Sequence, residues 1–391
     1  MLREDLWKIV EAEIDRQAQD AFDICDWEAA NPEIGGQEHG AVQHHKEFLT
    51  KRGFTFETPV YGLETAYKSV LPGAGAGRKV ALMVEYDALE GLGHGCGHNV
   101  HGPMSLLAAA GLATVMDRIP GELQVLGTPA EETYGGKIFM AERGAFDGLD
   151  FSMMIHTSAG ASCVPHRSMA CRGYRFTFEG IASHASGAPW KGRNALNGVR
   201  ILFDALDMWR QHLPPEIRIH GVVEEGGYYP NIVPAKAVAK IEFRAPDQKM
   251  EEDLVAKALD CARGAALCTG TKVSWDFFEG SFDCMNPNPA AENMVQKIFD
   301  EMGIPTVPPR PAGGSTDVGN ASWHCPALQP SLDISNGVEV PGHTREYVAI
   351  STTPAVHPRI VIGAKILAKS MFIVLTDDAV ASAIRADFKT R

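Results

Sequence analysis

The sequence predicts an α/β protein in which a mainly parallel-sheet domain is interrupted by an inserted ferredoxin-like domain (βαββαβ). Short apolar runs at 79–86, 122–128 and 150–156 are separated by helical segments, which is the pattern of a parallel sheet covered on both faces. From about Ala170 the pattern changes to strand, helix, strand, strand, helix, strand, the order of a split ferredoxin-like motif. After Phe282 helical segments and a glycine-rich loop resume the first domain. The boundaries are therefore 1–169 and 282–391 for the interrupted domain and 170–281 for the insert.

Each element has its own signal. MLREDLWKIVEAEIDRQ has the apolar spacing of an amphipathic helix. KVALMVEY, ELQVLGT and DFSMMIH are rich in Val, Ile, Leu and Met and too short for helices, so they read as buried strands. SLLAAAGLATVMDR lies between the first two, and GGKIFMAERGAF, closed by Gly144, lies between the second two; both are helical in composition. In the insert, RGYRFTFEG, IRIHGVVEEGG, AKAVAKIEFR and TKVSWDFFEG read as strands. NALNGVRILFDALDMWRQH and QKMEEDLVAKALDCARGAA read as helices. NPAAENMVQKIFDEMG and the region after Pro354 are helical, and ILAKSMFIVL is a buried helix rather than a membrane span.

Composition excludes several classes of function. With 49 acidic against 36 basic residues the formal net charge is -13, which repels nucleic acid. No run approaches the roughly 20 apolar residues that cross a bilayer. The charged N-terminus lacks the apolar core of a signal peptide, so a cytoplasmic location is expected. Eight cysteines are scattered without a C-x-x-C pair, so no disulfide framework is expected.

Chemistry concentrates in GLGHGCGHNVHGPM (91–104). Cys96 and His98 flank Gly97, so thiolate and imidazole can turn to one side, a pairing that suits a zinc-type cation. The carboxyl ends of parallel strands share one edge, where ligands bind. There the second strand runs into Glu131 and Glu132 and the third into His156, which offers the missing ligands. The two glutamates are expected to open a helix, where its dipole favours a carboxylate. Glu132 is assigned to the metal and Glu131 to the proton of a bound water. His94 and His101 read as supporting or loop histidines.

These residues resemble a known family. Asp87-Ala88-Leu89, GHGCGHN, PAEET and IH, followed in order by GIASHASGAPWKGRNAL, YPNIVPAKAVAKIEFR, GGSTDVGNASW and PGHTREY, look like the aminoacylase and carboxypeptidase-type metallohydrolases (peptidase family M-twenty). Within that family they resemble the amidohydrolase branch of aminobenzoyl-glutamate and auxin-conjugate hydrolases, to whose aminobenzoyl-glutamate side Asn99 points. The resemblance implies a catalytic domain with a ferredoxin-like lid, and a homodimer formed through that lid. It implies divalent cations, two per subunit, as zinc or manganese with cobalt or nickel as alternatives. Their ligands would be Cys96, His98, Glu132, His156 and His343, the last preferred to His357, with Glu131 as general base. His184 would polarise the scissile carbonyl. Asn231 and Arg244 would grip a substrate carboxylate, with Gly314, Ser315 and Thr316 as further donors. Asp317 stays open between substrate binding and loop structure.

The expected activity is hydrolysis of the amide bond of a small N-acyl amino acid or dipeptide with a free carboxylate. Two rivals are a metal-free hydrolase with Cys96 as nucleophile and a metal-stabilised binding protein for small acidic ligands without turnover.

Overall fold

The computed structural model describes residues 2–388. Up to Arg167 the elements are α1 (Leu2–Ala30), α2 (His39–Thr50), β1 (Thr55–Glu57), β2 (Tyr67–Pro72), β3 (Lys79–Val84), α3 (His98–Ala113), β4 (Glu122–Gly127), α4 (Gly136–Glu142), β5 (Phe151–Met153) and β6 (His156–Ser158). Then come β7 (Ala170–Glu179), α5 (Ala195–Arg210), β8 (Arg218–Glu225), β9 (Lys236–Ala245), α6 (Gln248–Thr269) and β10 (Lys272–Phe277). The chain closes with α7 (Pro289–Glu301), α8 (Val318–Ala321), β11 (Ala327–Leu328), β12 (Ser331–Asp333), α9 (Arg345–Ser351), α10 (His357–Thr376) and α11 (Asp378–Asp387). Two compact units result. One comprises Met1–Arg167, Met285–Pro311 and Asp317–Arg391; the other comprises Ser168–Cys284 and Ala312–Thr316.

The first unit is mixed α/β, as expected, but its sheet is less uniform than the apolar runs imply. Six strands run in the order β1-β2-β4-β3-β5-β11. The β4–β3, β3–β5 and β5–β11 pairs are parallel, while β1 and β2 add an antiparallel edge that the sequence did not reveal. The central strands are buried along nearly their whole length, which explains their continuous Val, Leu and Met content. α3, α1 and α10 pack together on one face through residues such as Val10, Ile14, Leu107 and Leu367, none of them exposed.

Three local expectations are corrected. DFSMMIH is two strands: β5 ends at Met153, and β6 begins at His156 and pairs with β12 in a separate two-stranded sheet. The neighbouring chain breaks at the same level, at Gln329 and Pro330, where a proline without an N–H cannot continue the ladder. The helix after the first strand starts at His98, ahead of the apolar run that signalled it. Glu131 and Glu132 lie in a turn, and α4 begins only at Gly136, so the helix dipole does not explain their placement.

In the second unit the antiparallel sheet runs β10-β7-β9-β8, with α5 and α6 packed on it. Phe176, Phe178, Leu202, Phe243 and Ala258 form its core. Asn194 and Asp247 cap α5 and α6 by accepting from Leu196 N and Met250 N.

Candidate metal centre

Five side chains from four stretches of the first unit converge. Cys96 Sγ lies 3.4 Å from His156 Nε2. His98 Nε2 is 3.7 Å from Glu132 Oε1, and His343 Nε2 is 3.5 Å from the other oxygen, Oε2. Ligand atoms of Cys96, His98 and Glu132 all lie within 4.8 Å of one another.

The backbone makes this crowding possible. Gly97 has φ 78°, and a Cβ there would strike Thr157 Oγ1, so the residue between the first two candidate ligands has to be glycine. His343 itself adopts φ 60° while its N–H donates to Gly95 O at 2.9 Å, which fastens the last segment onto the 91–97 turn. Ala130, just before the glutamates, has φ 62°. Its N–H donates to Glu38 Oε1 at 2.9 Å, and burial pushes the Glu38 pKa up to about 7.

The donor set fits a cation. The His98 Nδ1–H donates to Asp87 Oδ1 at 3.0 Å, and the His156 Nδ1–H donates to Thr157 O at 2.7 Å. Each ring therefore turns its Nε2 toward the cluster, the orientation that metal-binding histidines require. His98 Nε2 and Glu132 Oε1 are buried and have no hydrogen-bond partner, which is costly unless something positive sits between them. Burial opposes charge on His98, but Asp87 and Glu85 outweigh it and raise its pKa. Burial likewise opposes ionisation of Glu132, yet His343 and His98 hold its pKa down at about 2. Cys96 is pushed up by burial, so its thiol is protonated until a cation is present.

Glu131 sits beside Glu132, and its carboxyl is raised well above the usual range by burial and by the charges of Glu85, Asp317 and Glu132. A carboxylate of raised pKa next to a cation site is suited to take a proton from water.

Around this cluster lies a buried polar frame, in which Glu85 and Lys137 carried no sequence signal. Asp87 accepts from His98 with Oδ1 and from Glu132 N with Oδ2 at 2.9 Å, so one carboxylate orients two candidate ligands. Lys137, fully buried, donates to Glu85 at 2.5 Å and to Asp317 at 2.7 Å, and its backbone N–H donates to Asp317 Oδ2 at 2.9 Å. Asp317 is therefore a structural anchor, which decides the question the sequence left open. His101 Nε2 donates to Glu85 Oε2 at 2.9 Å. His94 is buried behind the turn, and His357 is away from the cluster, paired with Asp26 at 2.9 Å and stacked on Phe22.

The remaining candidates belong to the second unit. His184 Nδ1 accepts from Gly187 N at 2.9 Å, which leaves the proton on Nε2. His184 forms an isolated bridge with Ile232, and Ala185 N donates to Asn231 O at 2.9 Å, so His184 and Asn231 occupy neighbouring segments. Arg244 gives Nε and Nη2 to Glu242 Oε2 at 3.2 and 2.8 Å and turns Nη1 toward Ser315 Oγ at 3.4 Å. Gly314 O accepts from Met169 N at 2.8 Å, and Thr316 is buried.

The chain is similar to known proteins in sequence and in fold. A mouse (Mus musculus) Xaa-Arg dipeptidase is 34% identical over 387 residues, covering 93% of this chain and 87% of that protein. One of the p-aminobenzoyl-glutamate hydrolase chains of Escherichia coli is 29% identical over 323 residues, covering 77% of this chain and 66% of that protein. Among solved structures, a dinuclear metal-binding peptidase of the M20 family from Bacillus subtilis superposes with a TM-score of 0.73 at 15% identity, covering 92% of this chain and 99% of that one. The family model for peptidase family M20/M25/M40 matches residues 70–368, and with the dipeptidase similarity this establishes that the chain belongs to that family.

Proposed function

We propose that the protein hydrolyses the amide bond of a small N-acyl amino acid or dipeptide with a free carboxylate, using divalent cations held by Cys96, His98, Glu132, His156 and His343. The observation that carries this reading is a pair of buried atoms without a hydrogen bond, His98 Nε2 and Glu132 Oε1, facing each other across 3.7 Å beside Cys96. Its relatives include a dipeptidase and an aminobenzoyl-glutamate hydrolase, and cleavage of amide bonds is the chemistry their names share.

Cys96, His98, Glu132, His156 and His343 would hold the divalent cations, which would supply Lewis-acid activation of water and of the scissile carbonyl. Glu131, whose carboxyl is raised well above the usual range, would accept the proton of the attacking water and return it to the departing amine. Asp87 keeps His98 in the tautomer that presents Nε2 and fixes the backbone of Glu132. From the second unit we assign His184, whose protonated Nε2 is a hydrogen-bond donor, to the developing oxyanion, a role in which one donor is worth roughly 3–4 kcal/mol. Arg244, Asn231 and the 314–316 segment are assigned to the substrate carboxylate. We read that unit as a ferredoxin-like lid and as the surface through which two copies pair. Its edge strand β8 carries exposed Val222 and Val223. Among the described residues no helix is long and apolar enough to cross a membrane.

A thiol mechanism is less well supported, because a nucleophilic cysteine needs a depressed pKa and burial raises that of Cys96. The test is a hydrolysis screen of N-acyl amino acids and dipeptides with metal-stripped protein, to which zinc, manganese, cobalt or nickel is added back. Release of free amino acid only after metal addition supports the proposal. Equal release in a chelator overturns it.

A further inference from the structure

Asp87 holds one half of the candidate centre, His98 and Glu132, and a different device holds the other half. Thr157 Oγ1 donates to Cys96 O at 2.9 Å, and Thr157 O accepts the Nδ1–H of His156 at 2.7 Å. One residue thus fixes the backbone of Cys96 and the ring of His156. Thr157 is held in turn by its place opposite Leu332 in the β6–β12 pair and by His101. We propose that His101 is a positioning residue for the Cys96 and His156 half of the metal centre, acting through Thr157; this rests on the metal-dependent reading above.

The hydrogen-bond logic leaves His101 no other assignment. Thr157 Oγ1 spends its proton on Cys96 O, so the group that reaches His101 Nδ1 as donor is the Thr157 backbone N–H, at 3.3 Å. Nδ1 must then be the acceptor, the ring proton must sit on Nε2, and Nε2–H donates to Glu85 Oε2 at 2.9 Å. Both nitrogens are used, so although His101 lies within ligand distance of Glu85, His98 and His156, it has no lone pair for a cation. Glu85 is committed as well, since its second oxygen accepts from Lys137 at 2.5 Å. The ring also packs on His156, with centroids 4.6 Å apart. Glu85, His101, Lys137 and Thr157 are all buried, so the frame is shielded from water.

The test is a cobalt(II) titration of metal-stripped full-length protein, followed by calorimetry and by the thiolate-to-cobalt absorption that reports Cys96. The fold is checked by circular dichroism. His101→Leu removes both hydrogen bonds and is expected to weaken cobalt binding roughly 10–100-fold and to alter the thiolate band. His101→Asn restores an acceptor toward Thr157 and a donor toward Glu85, and is expected to recover most of the affinity. Thr157→Val, which loses only the Oγ1 bond, should shift both readouts in the same direction and carries the test if leucine at 101 does not fold. Wild-type affinity and spectrum in His101→Leu, or in Thr157→Val where that carries the test, would overturn the inference, as would an asparagine variant no better than leucine. Failure of the wild-type protein to bind cobalt would instead overturn the metal-dependent reading itself.

Discussion

Asp87 lies 3.0 Å from His98 Nδ1 through Oδ1, while its other oxygen accepts the Glu132 backbone N–H at 2.9 Å. Two ligands that approach the same space from different elements are thereby set by one carboxylate. Replacing it with asparagine puts an amide where one of the two N–H donors needs an acceptor. Asp87→Asn is expected to weaken zinc affinity by roughly 10–100-fold, read by calorimetry.

The proposed mechanism gives Glu131 a separate role from its neighbour. Glu131→Gln should bind metal as the wild type does, because Glu132 remains, while kcat falls by about 10²–10⁴-fold. Metal content measured alongside turnover checks both halves of the expectation. The corresponding change at Glu132 should remove both.

Lys137 joins Glu85 and Asp317, all three without solvent exposure. Lys137→Met strands two buried carboxylates, and breaking such a pair typically costs about 3–5 kcal/mol. Denaturant unfolding should show that loss. A double change, Lys137→Met with Asp317→Asn, should recover part of it.

His45 gives a stability prediction that is independent of catalysis. Its Nε2 is 2.8 Å from Glu28 and its Nδ1 is 3.1 Å from Tyr67 Oη, and burial lowers its pKa from 6.5 to about 3. Between those values the unfolded chain binds a proton at this site that the folded chain does not. The contribution of His45 to stability therefore falls as pH drops from 6.5 toward 3. Thermal melts of His45→Gln across that interval should show a shallower loss of Tm than the wild type.

Much of this was legible in the sequence because periodicity and turn chemistry are local. The strands at 79–84 and 122–127 and the helices of the second unit follow directly from their apolar spacing. The carboxyl ends of β3 and β4 lie side by side, which places the 91–98 turn beside Glu132, while His156 reaches Cys96 from the start of β6. What could not be read was the polar frame. Glu85 and Lys137 look like ordinary charged residues in a chain with a net charge of -13, Asp317 stays open between substrate binding and loop structure, and the partners of Lys137 lie 52 and 180 positions away. The break of DFSMMIH into two strands coincides with the break at Pro330 between β11 and β12, again a distant feature. The edge strands β1 and β2 were missed because neither is a continuous apolar run.

The central claim concerns which atoms hold the cations, and anomalous diffraction from crystals grown with manganese or zinc addresses it most directly. The account predicts anomalous density within coordination distance of Cys96 Sγ, His98 Nε2, Glu132, His156 Nε2 and His343 Nε2. Density confined to other side chains, or none at these five in a protein that hydrolyses its substrate, would contradict it.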